Sequence, residues 1–202
     1  LDGEKVSVTS TGIGCPSAAI AMEELARVGA DTFVRVGTSG SMQPDIAPGD
    51  LGVVHAAIRD EGTTLHYLPV EFPAVADIDV TRALAAGARS TGKTVHVGIS
   101  QSKDSFYGQH EPGRMPVARR LQDRWSAWMA GGAICSEMEA AALYIVAATI
   151  KVRAGGIMMV MRHHAQSPMA PEEEARRSLD NLLPAAIAGM RELIARDREA
   201  RA

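Results

Sequence analysis

The chain of 202 residues carries a formal net charge of -3, with 46% hydrophobic and 22% charged residues, the balance of an ordinary globular domain long enough to bury a substantial core. That charge and the lack of a polybasic cluster offer no field for nucleic acid, and no apolar run has the length of a membrane span or the pattern of a secretion signal. Cys15 and Cys135 are the only cysteines; with no metal-ligand companions in sequence they fit a reducing cytoplasm better than a disulfide framework.

Lys5 to Ser10 alternates Val6 and Val8 with polar neighbours and predicts a strand. It runs through Gly12-Ile13-Gly14 into a helical pattern over Ala18 to Val28, stopped by Gly29. Strand, glycine loop and helix make the first half of an α/β unit. Gly12 and Gly14 lack the third glycine of a dinucleotide fingerprint, so a tight turn is the expectation. Asp31 to Val36 predicts a second strand ending in Arg35-Val36-Gly37-Thr38-Ser39-Gly40-Ser41. An arginine there, followed by hydroxyls and glycines, either holds a phosphate through a bidentate cation and O–H and N–H donors, or is a salt-bridged arginine before a loop.

Leu51 to Ile58 predicts a third strand, and residues 59 to 76 show no period. A helix over Val80 to Ala88 and a strand over Thr94 to Ser100 follow, leading into the polar and aromatic segment Gln101 to Glu111. Ligands of open α/β sheets sit at such carboxyl ends of strands. There Phe106 can stack on a planar ring and Gln109 can offer a donor and an acceptor to a heterocycle edge; the alternative is a loop with one anchoring aromatic. Val117 to Met129 predicts a helix with Trp125 and Trp128 as packing residues. Gly155 to Val160 predicts a buried strand ending at Arg162-His163-His164, a histidine pair without a third ligand of suitable spacing and so a solvated or partner-facing loop rather than a metal site. Pro171-Glu172-Glu173-Glu174 opens the last helix, which Pro184 is expected to kink or split. There is no internal repeat or linker, so residues 1–202 read as one domain.

The chain turns on Ser136-Glu137-Met138-Glu139, where an apolar run gives way to a long helical pattern. Ser136 and Glu139 have the spacing of a capping box. Equally, an ionised carboxylate held there accepts hydroxyl donors from a sugar. Residues i and i+2 diverge around a helix, so Glu137 and Glu139 are not expected to point into one pocket together.

Five segments in order resemble the nucleoside phosphorylases, and within them the uridine phosphorylases: Ser10 to Gly14, Arg35 to Gly40 with Gln43-Pro44, Glu71-Phe72-Pro73-Ala74-Val75-Ala76-Asp77, Asp104 to Gln109, and Glu137-Met138-Glu139. The resemblance implies an α/β/α sandwich around a central mixed β-sheet. It also implies a pentosyltransferase in which inorganic phosphate attacks uridine, giving uracil and ribose 1-phosphate for pyrimidine salvage, with no metal or organic cofactor. By the same resemblance Arg35 and Thr38 bind phosphate, and Thr38, Glu137, Met138 and Glu139 bind ribose, Glu137 chiefly through its backbone. Phe106, Gln109 and Arg162 hold the base, and the assembly is a homodimer-based hexamer in the cytoplasm. Arg35, Glu139 and Phe106 must then surround one cavity sized for a nucleoside.

Two departures stand out. Glu111 occupies a position where one branch of the family has a base-reading arginine, leaving Lys103 or His110 to supply that donor. The family's first strand, its glycine-rich phosphate loop, and the histidine and arginine lent across a dimer would all precede Leu1, and an opening on Leu1 rather than Met reads as the interior of a longer sequence. The alternatives are therefore an impaired nucleoside-binding fragment, or a purine nucleoside phosphorylase or nucleosidase. Against the purine reading, Met158-Met159-Val160-Met161-Arg162 carries no carboxylate to protonate a purine.

Overall fold

The computed structural model describes residues 1–163, 171–176 and 178–201; His164 of the histidine pair lies outside them. In chain order the elements are α1 (Cys15–Arg27), β1 (Thr32–Ser41), β2 (Leu51–Asp60), β3 (Ala74–Val75), α2 (Ile78–Ser90), β4 (Val95–Lys103), α3 (Phe106–His110), α4 (Ala118–Ala130), β5 (Cys135–Glu137), α5 (Ala140–Ile150), β6 (Arg153–Arg162), α6 (Pro171–Arg176) and α7 (Leu179–Arg201). No helix of the described residues is long and apolar enough to cross a membrane.

The strands form one mixed sheet in the order β3-β2-β4-β5-β1-β6, with helices on both sides. The sheet also curls: the first residues of β2 pair with β6, Leu51 opposite Met159 and Val54 opposite Gly156, so β2, β4, β5, β1 and β6 close a ring. Alternation along the strands sorts the core into two layers. On one face Val54 and Met158 meet α1 and α5; on the other Leu51, Val53, Ile157 and Met159 meet α2 and α7. Helix α5 is buried from Ala140 to Ala147, and Tyr144 donates from its hydroxyl to Val54 O at 2.7 Å. Helices α2 and α7 cross so closely that a Cβ on Gly87 would lie 2.2 Å from Gly189 N.

Several elements differ from the sequence expectation. Residues 5 to 10 form no strand; Val8 is 96% exposed, and an alternation of two valines does not itself supply a sheet edge to pair with. Strands β1 and β4 run on through segments expected to be loops, because both find ladder partners there: Gly40 faces Ser136, and Ser102 faces Glu137. Helix α7 continues through Pro184; the proline lies near the amino end, where the forfeited hydrogen bond belongs to the first turns. The aperiodic stretch is held by Arg59, whose guanidinium donates to the carbonyls of Thr64, Leu68, Pro69 and Phe72. Helix α4 buries none of its residues, so Trp125 and Trp128 are not core; Trp128 lies under the Arg124 guanidinium, 4.7 Å from it.

Candidate active site

Two groups of side chains, with one lysine between them, converge where β1, β4 and β5 run side by side. The first is built on Arg35, mid-strand in β1. Its Nε lies 3.1 Å from Glu139 Oε2 and 3.2 Å from Glu137 Oε2, and its Nη2 donates to Glu139 Oε2 as well. Burial disfavours the Arg35 charge, but Glu137 and Glu139 outweigh it and push the pKa up. Nη1 is buried and has no hydrogen-bond partner among the described residues. It lies over Gly37, where a Cβ would come within 2.5 Å of it.

The two carboxylates reach one guanidinium because the helix starts only at Ala140. Glu137 is the last residue of β5, and Glu139 lies in the bend between the strand and the helix, so the two are not separated by the rotation of a regular helical turn. The expected divergence does not occur. Their tasks differ, however. Glu137 has no exposed side-chain surface and accepts from Glu139 N and Ala140 N, both at 2.8 Å, and from the hydroxyls of Ser100 and Ser102. It caps α5, a task expected of Ser136 and Glu139, whereas Ser136 is turned toward β4. Glu139 is partly open and accepts from Gly14 N at 2.7 Å and Met138 N at 3.3 Å. Burial alone would raise its pKa; the Arg35 charge and these hydrogen bonds hold it below the usual carboxylate range. The glycine turn before α1, with φ of 75° at Gly12 and 94° at Gly14, thus docks on the same carboxylate. Met138 is half-buried beside it.

The second group lines a cavity of about 340 Å³. Gln109, His110 and Arg162 lie on its wall, with Gly40 and Ser41 of β1, Ser136 of β5, and Leu121, Gln122 and Trp125 of α4. Burial first, then the charges of Lys103 and Arg162, press the His110 pKa down. Phe106 packs on His110 with ring centroids 4.2 Å apart and remains 52% exposed.

Between the two groups stands Lys103. It is buried, and its Nζ donates to Ser136 Oγ at 2.6 Å and reaches Glu137 O at 3.4 Å. Burial lowers its pKa to about 8 against the opposing pull of Glu137 and Glu139. One cation is therefore felt by the Arg35 pair on one side and by His110 on the other.

The expected convergence is thus partial. Gln109, His110 and Arg162 share one cavity, while Arg35, Glu139 and Phe106 do not line it. Thr38 is exposed, three residues from Arg35 along β1, and alternation puts the two on opposite faces because the strand does not end at Val36. Sequence reasoning missed Gly14 N, Ser136 and the wall from α4. The only signal for Ser136 was its neighbourhood with the two glutamates.

A phosphorylase superfamily profile matches residues 1–195, almost the whole of this arrangement. The chain belongs to the phosphorylase superfamily. Among superfamily members, a uridine phosphorylase of Treponema pallidum (strain Nichols) is 45% identical over 192 residues, covering 95% of this chain and 74% of the relative. A uridine phosphorylase of Salmonella typhimurium (strain LT2) is 41% identical over 199 residues, 96% of this chain and 78% of the relative. A guanosine phosphorylase of Halorubrum lacusprofundi is 41% identical over 159 residues, 79% of this chain and 61% of the relative.

Proposed function

We propose that this protein is a pentosyltransferase that cleaves uridine with inorganic phosphate, releasing uracil and ribose 1-phosphate in pyrimidine salvage. What carries the reading is the Arg35–Glu139 pair set beside the Gln109, His110 and Arg162 cavity with Lys103 common to both. The high identity to uridine phosphorylases supports it.

The chemistry asks for an anionic nucleophile below the sugar and for positive charge around the leaving base. A phosphate oxygen attacks C1′ of the ribose as the C1′–N1 bond breaks. The electron pair passes to uracil N1 and spreads onto its carbonyl oxygens, and the uracil anion then takes a proton from water. In this reading Arg35 receives the phosphate, first through Nη1, the donor without a partner among the described residues. As the guanidinium turns to phosphate, Glu139 is released to accept the ribose hydroxyls, with Met138 packing on the sugar and the Glu137 backbone beside it. Phe106 rests against the base, Gln109 reads its edge, and Arg162, Lys103 and His110 stabilise the charge that grows on it. Inorganic phosphate is the co-substrate, and no metal or organic cofactor takes part. The working unit is a homodimer-based hexamer in the cytoplasm.

A purine reading is favoured by one observation, the identity to a guanosine phosphorylase. The last residues of β6, Met158 to Arg162, bring no carboxylate to the base side, which favours a pyrimidine whose anion needs hydrogen bonds alone. Product release settles the matter: uracil from uridine, dependent on phosphate, is the expected result. Guanine or hypoxanthine released faster than uracil would overturn the choice of base, and release without phosphate would overturn the choice of nucleophile.

A further inference from the structure

Behind Ser136 the hydrogen bonds run in a line away from the cavity. Asp60, the last residue of β2, accepts from Gln101 Nε2 at 2.7 Å and pairs with Arg124 of α4 at 2.6 Å. Gln101 Oε1 accepts from Ser136 Oγ at 2.6 Å, and Ser136 Oγ accepts from Lys103 Nζ at 2.6 Å. Gln101 has no exposed surface, and Ser136 and Lys103 are each 5% exposed. The line has one possible direction. An ionised carboxylate only accepts, so Gln101 must turn its amide nitrogen to Asp60 and its oxygen to Ser136. The serine has a single proton, which goes to that oxygen, leaving a lone pair for Lys103. Every polar atom of the line has a hydrogen-bond partner among the described residues, which favours a buried polar network that orders its surroundings.

We propose that Gln101 and Asp60 are positioning residues: the one-way relay Asp60–Gln101–Ser136 fixes the Lys103 ammonium between the Arg35–Glu139 pair and the base-side cavity. The inference rests on the uridine reading and deepens it, for it says how the cation that meets the uracil anion is held. The charged and titratable groups around Lys103 are Glu137 and Cys135 from β5, Glu139 before α5, Arg35 from β1, Asp60 from β2 and His110 from α3. Of these, the relay ties Lys103 only to Asp60 by an unbroken series of side-chain hydrogen bonds.

The test is D60N together with D60N/Q101E and Q101M. An amide at position 60 can donate, so Gln101 is free to turn over and the relay loses its direction. In D60N/Q101E the carboxylate at position 101 accepts from both neighbours, restoring the direction at unchanged net charge. Steady-state uridine phosphorolysis is followed from pH 6 to pH 10 with saturating phosphate. D60N and Q101M are expected to lower kcat by about tenfold, the effect of misplacing one charge-assisted hydrogen bond, with little change in KM and a displaced alkaline limb. D60N/Q101E is expected to recover most of the loss. A D60N that keeps the parent kcat and pH profile, or a double variant no better than D60N, overturns the relay. Should D60N fail to fold, Q101M decides, since it keeps Asp60 and the side-chain volume. A second readout does not depend on turnover: carbon-13 NMR titration of the Lys103 Cε should move in D60N and return in the double variant, and an unmoved midpoint overturns the relay. A parent enzyme that releases no uracil but shows this titration pattern sinks the uridine reading and leaves the relay standing.

Discussion

Replacing Glu137 separates its structural task from the chemistry next to it. The side chain is wholly buried, ties the first two N–H groups around the start of α5 at 2.8 Å, takes the hydroxyls of Ser100 and Ser102, and faces Arg35 Nε at 3.2 Å. In Glu137→Ala the two N–H groups and the two hydroxyls lose their acceptor while Arg35 is left with Glu139 alone, and the cost is that of a lost cap, orphaned buried donors and half of a buried charge cluster, about 4 kcal/mol. Glu137→Gln keeps an oxygen for Glu139 N and Ala140 N. Its NH2 then meets Ser102, which already accepts from Ala141 N at 2.9 Å and loses the acceptor for its own proton. Arg35 keeps Glu139 as counter-charge, so the amide should cost about half as much, roughly 2 kcal/mol. For a chain of this size these correspond to drops in Tm of about 8–16 °C and 4–8 °C. Urea unfolding followed by circular dichroism at neutral pH measures both. An alanine variant within about 1 kcal/mol of the parent, or a glutamine variant as costly as alanine, would refute the account of Glu137 as the buried keystone of β5 and α5.

Two further outcomes follow from the packing and the charges. Lys103 holds its proton less tightly when folded, at about 8 against an ordinary 10.5, so between those values its own contribution to stability rises with pH; that contribution, on the order of 3 kcal/mol, is read as the difference between the parent and Lys103→Met in the change of urea stability from pH 7.5 to 10.5, which cancels the opposing effect of the Cys15 and Cys135 thiols that burial pushes up. Gly87→Ala should lower Tm despite alanine's better helix propensity, because the added methyl meets the α7 backbone at Gly189 and the two helices must separate, at a net cost of about 1–3 kcal/mol; a gain in thermal stability would show that the crossing is looser than the structure has it.

The relation between sequence and site is clearest at residues 35 and 136 to 139. The residue types announced themselves: an arginine before glycines and hydroxyls, and two carboxylates at a helix mouth, carry the chemistry wherever the chain puts them. Periodicity likewise located α1, α2, α4, β2 and β6 to within a few residues, since each is long enough for its apolar spacing to be counted. Strand ends were less legible. A strand stops where its ladder partner stops, and the partner of Ser39 to Ser41 lies more than ninety residues away.

What the amino-acid order fixed by itself was the class of fold, the family motifs and the inventory of groups able to bind phosphate, sugar and base. Which of those groups meet was decided only by tertiary structure. The bend between β5 and α5 turned two glutamates onto one guanidinium, and the pairing of β4 with β5 made Lys103 the neighbour of Ser136. Both outcomes depend on contacts between residues far apart in the chain, whose register is set by burying two apolar faces at once, and no local pattern encodes that.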